Sequence, residues 1–258
     1  MTAKEVIQKM KDNLGIPWQE NSIRDVIKVG NPDVQVKGIA STCMATVELL
    51  RRAQAAGLNM VITHEPTFWS DQERADLSAD PIYRYKRDYC LKNDMVVLRY
   101  HDNVHAKKPD LIFVGVMRAL GFDKYSPDYS PNFTIPETTL EELASRLRTR
   151  LKAHAFRVTG DPKAKVSRLA FSVGGGAGRF SDTVDVAFTG EGQEVGGADP
   201  TGYALDAASL GIPKAFIHIG HIASEEPGME DVANWLKTFL PNLPVQFLPV
   251  HELFWDLG

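Results

Sequence analysis

The chain of 258 residues has only two cysteines, Cys43 and Cys90, in no metal-ligand spacing. Their scarcity excludes a disulfide-stapled fold and a paired-cysteine zinc site, and it points to a reducing, cytoplasmic setting. No apolar run approaches about 18 residues, so no membrane-spanning helix is expected. Positive charge is not in excess: 29 Lys and Arg face 33 Asp and Glu, a net charge of -4. That leaves no electrostatic footprint for nucleic acid. There is no G-x-S-x-G nucleophile elbow and no evident Cys–His pairing. Nor does the one glycine-rich stretch lead into G-K-[ST], as a phosphate-binding P-loop would. The first residues, Met1 to Gly15, interrupt their apolar positions with Lys4, Glu5, Lys9, Lys11 and Asp12, which reads as an amphipathic helix and not a signal peptide.

What is present is an ordinary globular composition, 43% apolar and 24% charged, long enough for one large domain or two modest ones. Val6, Ile7, Met10 and Leu14 recur at helical spacing before Gly15-Ile16-Pro17. After the turn Asn31-Pro32-Asp33, the residues Val34, Val36 and Gly38 to Ala40 read as a strand. A helix from Val47 to Ala56 follows, N-capped by Thr46 and ended by Gly57, and then a strand from Leu58 to Ile62. Strand, helix, strand within about 30 residues is a βαβ unit with parallel strands. Pro81 to Lys92 reads as a helix, Met95 to Leu98 as a strand, and a helix beginning near Pro109 runs to Leu120. The stretch Ser126 to Pro131 is the best linker candidate.

Beyond it, Thr139 and Glu142 form a capping box for a helix to about Ala153. Strands are expected at Phe156 to Val158, Val166 to Val173, Val184 to Phe188, Lys214 to Ile219 and Val245 to Leu248. A helix begins at about Pro227. Gly174 to Arg179 could cradle a phosphate through backbone amides, but a tight strand-to-helix turn accounts for the glycines more simply. Gly192 to Gly202 reads as a loop.

Three strand ends carry the chemistry. The first is His64-Glu65; the second is His101-Asp102-Asn103-Val104-His105, where Asp and Asn favour a turn over a helix; the third is Gly220 to Glu225, with His221 and Glu225 four apart and so on one face of a helical turn. A lone histidine at a strand end is more often structural. Four of the seven histidines falling at such ends beside carboxylates is what a metal site requires. His154, on a helix, and His218, inside a strand, are assigned to structure, and His251-Glu252 to packing or surface. Mixed imidazole and carboxylate donors suit Zn, Mn, Fe, Co or Ni better than Ca or Mg.

The segments ITHEP at Ile62 to Pro66, HDNVH at His101 to His105, GGGAG at Gly174 to Gly178, TGE at Thr189 to Glu191 and GHIASE at Gly220 to Glu225 together resemble the NIF-three-like family of dinuclear-metal proteins, often labelled type-2 GTP cyclohydrolase I. The resemblance covers nearly the whole chain. It implies an α/β fold of two interlocked α/β domains, residues 1–125 with 218–258 forming the metal-binding domain and 126–217 inserted into it. It implies two divalent transition metal ions held by His64, Glu65, His105, His221 and Glu225, with His101 close by as a sixth candidate. It also implies a homo-oligomer, a ring-shaped hexamer.

The departures are specific. Where the family usually reads two adjacent histidines this chain has His64-Glu65, and where it reads HTNLD this chain has HDNVH, with His105 in the aspartate's place. The two swaps keep the total of imidazole and carboxylate donors. Met44 stands near an aspartate of the family, Thr46 is retained, and Trp18 to Val29 matches poorly.

The expected function is a metal-dependent hydrolase of a small phosphorylated or nucleotide-like molecule, with Asp102 and Glu226 as proton-transfer or ligand-orienting groups. The alternative is a non-catalytic metal-binding regulatory or scaffold ring, and the blandest reading is a set of polar strand ends that bind no metal.

Overall fold

The computed structural model describes residues 1–70, 75–176, 181–192, 200–250 and 253–254. His251, Glu252 and most of the loop expected at 192–202 lie outside them, as do Ala177 and Gly178. The chain divides into two compact units. The first comprises Met1–Ile112 and Gly228–Val250; the second is built on Phe113–Pro227.

In chain order, α1 (Ala3–Asn13) opens with a capping box between Thr2 and Glu5. It is followed by β1 (Ile27–Val29), β2 (Ile39–Thr42), α2 (Val47–Ala55), β3 (Met60–Thr63), α3 (Pro81–Lys92) and β4 (Val96–Arg99). Next come the short α4 (Asp102–Ala106) and α5 (Leu111–Leu120). The second unit holds β5 (Asn132–Thr139), α6 (Leu140–Leu151), β6 (Arg157–Thr159), β7 (Lys165–Ser172), β8 (Val186–Thr189), α7 (Pro200–Ser209) and β9 (Ala215–His218). The chain then runs through α8 (Glu226–Phe239) to β10 (Val245–Phe247).

The first unit's sheet has the order β1-β4-β3-β2-β10, parallel except for β1. Every residue of β2, β3 and β4 is buried, as expected of parallel strands covered on both faces. Leu49, Leu50 and Ala53 of α2 pack with Val61 and Val97 into one core. Ser41 of β2 donates to the Met229 carbonyl of α8 at 2.6 Å. Gly228 lets α8 touch Ile112 backbone to backbone, because a Cβ there would fall under 3 Å from the Ile112 Cα.

The second sheet, β5-β7-β8-β9-β6, is mixed, with antiparallel outer strands around the parallel β7-β8-β9. Phe122, Phe133, Phe171 and Phe188 anchor its core, and the rings of Phe171 and Phe188 stack at 4.5 Å. Burying each such ring stabilises the unit by about 1.5–3 kcal/mol.

The structure differs from the sequence reading at five places. Val34 and Val36 precede the strand, which begins at Ile39. The edge strands β1 and β5 were not anticipated. β5 carries Pro136, which cannot donate to a ladder, and its pairing with β7 slips between Thr134 and Thr138. His154 lies past the end of α6. A helix, α7, starts inside the stretch read as a loop, its strand-side face closed by Ala204 and Ala207. Finally, His101 to His105 is helical, for a reason given below.

Asp185 at the start of β8 is 4% exposed. It accepts from the amides of Ser167 and Arg168 at 3.0 and 2.9 Å and from the Arg168 guanidinium. Burial opposes its ionisation, but these donors outweigh burial and hold the carboxyl below the usual carboxylate range. A group depressed in the folded state adds stability above its unfolded value, near 3.9, and loses it as pH falls through the folded value. The stability gap between wild type and Asp185→Asn, read by urea unfolding, is therefore expected to be full at neutral pH and to shrink below about pH 4. A gap that stays constant to pH 2 would contradict this.

Candidate functional site

Strand register does the first part of the work. Thr63 pairs with Arg99, so His64 and Tyr100 follow side by side at the carboxyl ends of β3 and β4, where α/β sheets bind ligands. His64 is fully buried, and its Nδ1 lies 3.1 Å from the Tyr100 carbonyl, which can only accept. Tyr100 is itself pinned, its ring stacked between Trp18 at 5.7 Å and Trp235 at 6.0 Å. The buried Arg99 turns back and donates Nε to the His64 carbonyl at 3.0 Å, with its guanidinium 3.9 Å from Glu65.

The second strand end is organised by Asp25, 6% exposed. Its carboxylate accepts from the amide of His101, from the amide of Asn103 at 2.9 Å and from Asn103 Nδ2 at 2.5 Å. A negative charge on the first amides of a turn favours helix there. This is why His101 to His105 coils into α4 where its own residues favour a turn, and the coil brings His101 and His105 onto one face. Gln19 and Ser22 add hydrogen bonds to Asn103 and Asp102.

His64, His101 and His105 thereby meet. The rings of His64 and His101 stack at 4.4 Å, and His105 stands edge-on to both at 4.9 Å. One ligand atom from each lies within 4.8 Å of the others, so the group could hold a metal ion. Two ligands on one tetrahedral ion sit about 3.3 Å apart. Each ring has its Nδ1 engaged by oxygen: Tyr100 O for His64, Asp102 at 3.0 Å for His101, Asp110 at 2.8 Å for His105. Where Nδ1 donates, Nε2 is the ring nitrogen left to coordinate an ion. Burial, then His64 and His105, push His101 down to about 4, against the pull of Asp102. Asp102, despite burial, sits below the usual carboxylate range through Ser22, His101 and Arg24. An imidazole kept neutral beside a carboxylate kept charged is the donor set a cation needs.

In the second unit, Ile219 and Gly220 continue the ladder to Thr189 and Gly190 and deliver His221 and Glu225 on a 3-10 turn. His221 Nδ1 is 2.8 Å from Glu191, and its Nε2 is 3.2 Å from Glu225 Oε2. That spacing matches two ligands on one ion. Gly174 packs directly on this pair, since a Cβ there would fall under 3 Å from Glu225 Oε1, and its amide donates to Ser224 Oγ at 2.8 Å. The glycine is there for close approach, and its N–H is committed to the protein.

Of the expected residues, His64, His101 and His105 converge, Glu65 has a carboxylate oxygen within 4.8 Å of a His64 ring nitrogen and lies beside Arg99, and His221 and Glu225 pair in their own unit. Asp102 contacts His101, while Glu226 opens α8. Sequence reasoning missed Asp25, Asp110 and Glu191 as orienting groups. For Asp110 the signal was a carboxylate five residues past His105; for Asp25 there was none.

Relatives agree with this architecture. A Streptomyces coelicolor protein called "GTP cyclohydrolase 1 type 2 homolog" is 27% identical over 221 residues, 78% of this chain and 74% of the relative. A Clostridium perfringens protein of the same name is 22% identical over 98% of this chain and 97% of its own length. Among solved structures, protein SA1388 of Staphylococcus aureus superposes with a TM-score of 0.73 at 18% identity, over 100% of this chain and 99% of that one. A Bacillus cereus protein related to NIF3 gives 0.70 at 16% identity, over 100% and 98%. The family described as Duf34/NIF3 (NGG1p interacting factor 3) matches residues 1–252, and the chain belongs to that family.

Proposed function

We propose that the chain is a dinuclear metal-binding protein that acts as a metal-dependent hydrolase on a small phosphorylated or nucleotide-like molecule. The proposed ligands are His64, Glu65, His101, His105, His221 and Glu225, and the ions are two divalent transition metals of the Zn, Mn, Fe, Co or Ni group. The observation that carries this reading is that four imidazoles, those of His64, His101, His105 and His221, each have Nδ1 tied to an oxygen and so turn Nε2 to a common use. A bound ion supplies an acidified water and polarises a phosphoryl or carbonyl oxygen. Asp102, Asp110 and Glu191 fix the rings, and Arg99 holds the carbonyl of His64. The nucleotide-like substrate rests on the names of the relatives, GTP cyclohydrolase 1 type 2 homologs.

The test is metal content by elemental analysis and turnover of a panel of nucleotides, phosphoesters and cyclic amides by the metal-loaded protein. We expect two ions per chain and hydrolysis of at least one compound, abolished by His64→Ala. Well under one ion per chain after reconstitution would end the proposal.

The second reading is a non-catalytic regulatory or scaffold protein that assembles into a hexameric ring. It is favoured by apolar residues exposed on and beside α7: Leu205, Leu210 and Ile212 are 57%, 74% and 45% exposed. Full metal loading with no turnover, a hexamer mass by light scattering and a partner set unchanged by His64→Ala would favour it.

A further inference from the structure

The three-imidazole group of the first unit has a property that the dinuclear reading does not require. All three of its donors belong to that unit, as do Tyr100, Asp102, Asp110 and Asp25, which orient them. The donors come from the end of β3 and from both ends of α4, elements fixed by strand register and by the Asp25 carboxylate. Ligands held before the ion arrives lose little freedom when it binds. Three histidines are also a complete protein ligand set for a catalytic-type zinc ion, with a fourth position open. The trio itself contains no carboxylate; Glu65, with a carboxylate oxygen within 4.8 Å of a His64 ring nitrogen, lies 3.9 Å from the Arg99 guanidinium.

We propose that His64, His101 and His105 form a self-sufficient site for a single borderline divalent ion, Zn2+ or Co2+, which fills before and without any donor from the second unit. The inference rests on the reading that the chain binds metal, and it adds selectivity and order to it. Three neutral nitrogens discriminate against Mg2+, Ca2+ and Mn2+, which prefer oxygen. Three neutral donors would leave the double charge of an ion uncancelled within the trio, with Asp102 and Asp110 at one remove. An ion held by these three imidazoles would keep a position suited to an anionic oxygen ligand.

The experiment titrates metal-free protein with Co2+ and reads visible absorption and stoichiometry. The chains are wild type, the double variant His221→Ala/Glu225→Gln, His101→Ala and His101→Gln, each checked for native circular dichroism. We expect the double variant to keep one equivalent with the intense visible bands of four-coordinate Co2+ and an affinity within about threefold of the tighter wild-type step, since its orienting groups are intact. Both His101 variants should bind that equivalent at least about tenfold more weakly, with the bands lost. Excess Mg2+ should not displace the ion. A wild type that takes two ions beside a double variant that takes none would overturn the inference and leave the dinuclear reading standing. His101 variants that match wild type would overturn it equally, while a wild type that binds no Co2+ at all would end both readings.

Discussion

Replacing Asp25 by alanine is expected to destabilise the protein by about 3–5 kcal/mol and to weaken metal binding by about 10- to 100-fold. The first figure follows from the number and kind of bonds broken. A hydrogen bond to a charged group is worth about 1.5–3 kcal/mol, and this carboxylate accepts three, from the amides of His101 and Asn103 and from the Asn103 side chain. Because they share one acceptor their losses are less than additive, which brings the total to about 3–5 kcal/mol. Asn103 is fully buried, so its amide nitrogen cannot recover a partner from bulk water without opening the turn. The second figure follows from what the turn carries. With the negative charge gone from its first amides, α4 loses the reason to coil, and His101 and His105 lose their common face. Ser22→Ala is the milder companion: it removes the hydroxyl that donates to Asp102 at 2.7 Å and accepts from the amides of Arg24 and Asp25 at 3.1 and 3.0 Å. It leaves the three bonds into the Asp25 carboxylate, so it should cost about 1–2 kcal/mol with a smaller loss of metal affinity than Asp25→Ala. Urea unfolding and a metal titration on both variants decide the matter. Asp25→Ala within 1 kcal/mol of wild type, with affinity intact, would sink the argument.

That experiment also marks the limit of what was legible in the chain. The parallel core was readable because buried strands such as Met60 to Thr63 and Val96 to Arg99 are short apolar runs between helix signals, and Thr46, Thr139 and Pro81 announce their helices through local capping chemistry. β1 and β5 were not readable, since edge strands need only half a pattern and β5 tolerates Pro136. The ring-to-ring meeting of His64 with His101 and His105 was legible only as far as strand ends converge. Its actual cause is nonlocal: Asp25 lies more than 70 residues before His101 in a segment with no motif. A helix of five residues has too few internal bonds to be written in its own propensities.

The glycine-rich stretch shows the opposite case, a motif that is conspicuous and easily misread. Runs of glycine bring phosphate to mind because exposed amides bind anions. Here the Gly174 amide is spent on Ser224, and the missing side chain matters more than the N–H. The same reasoning applies to Glu191. It reads as one member of a TGE segment, yet its contribution is to hold His221 Nδ1 and so decide which nitrogen faces Glu225.

Gly174→Ala is accordingly expected to cost about 2–4 kcal/mol and to remove the ion that depends on His221 and Glu225. Two effects add. Gly174 has φ +60°, and a Cβ in that left-handed region costs about 1–2 kcal/mol. The Cβ would also fall under 3 Å from Glu225 Oε1 and 3.2 Å from His221 Nε2. The backbone cannot retreat, because the residue's amide is bound to Ser224 and its carbonyl accepts from the Glu191 amide at 2.9 Å. Glu225 must move instead, and at 2% exposure it moves within a packed interior. The neighbouring Gly175→Ala separates the steric argument from a general intolerance of the turn. Among the described residues a Cβ there meets only Glu191 Oε1, at 3.8 Å, an ordinary contact. That variant should unfold within about 1 kcal/mol of wild type and keep its metal content. If Gly174→Ala instead retains both ions and unfolds with Gly175→Ala, the glycine serves flexibility alone and the close approach to Glu225 is not what selects it.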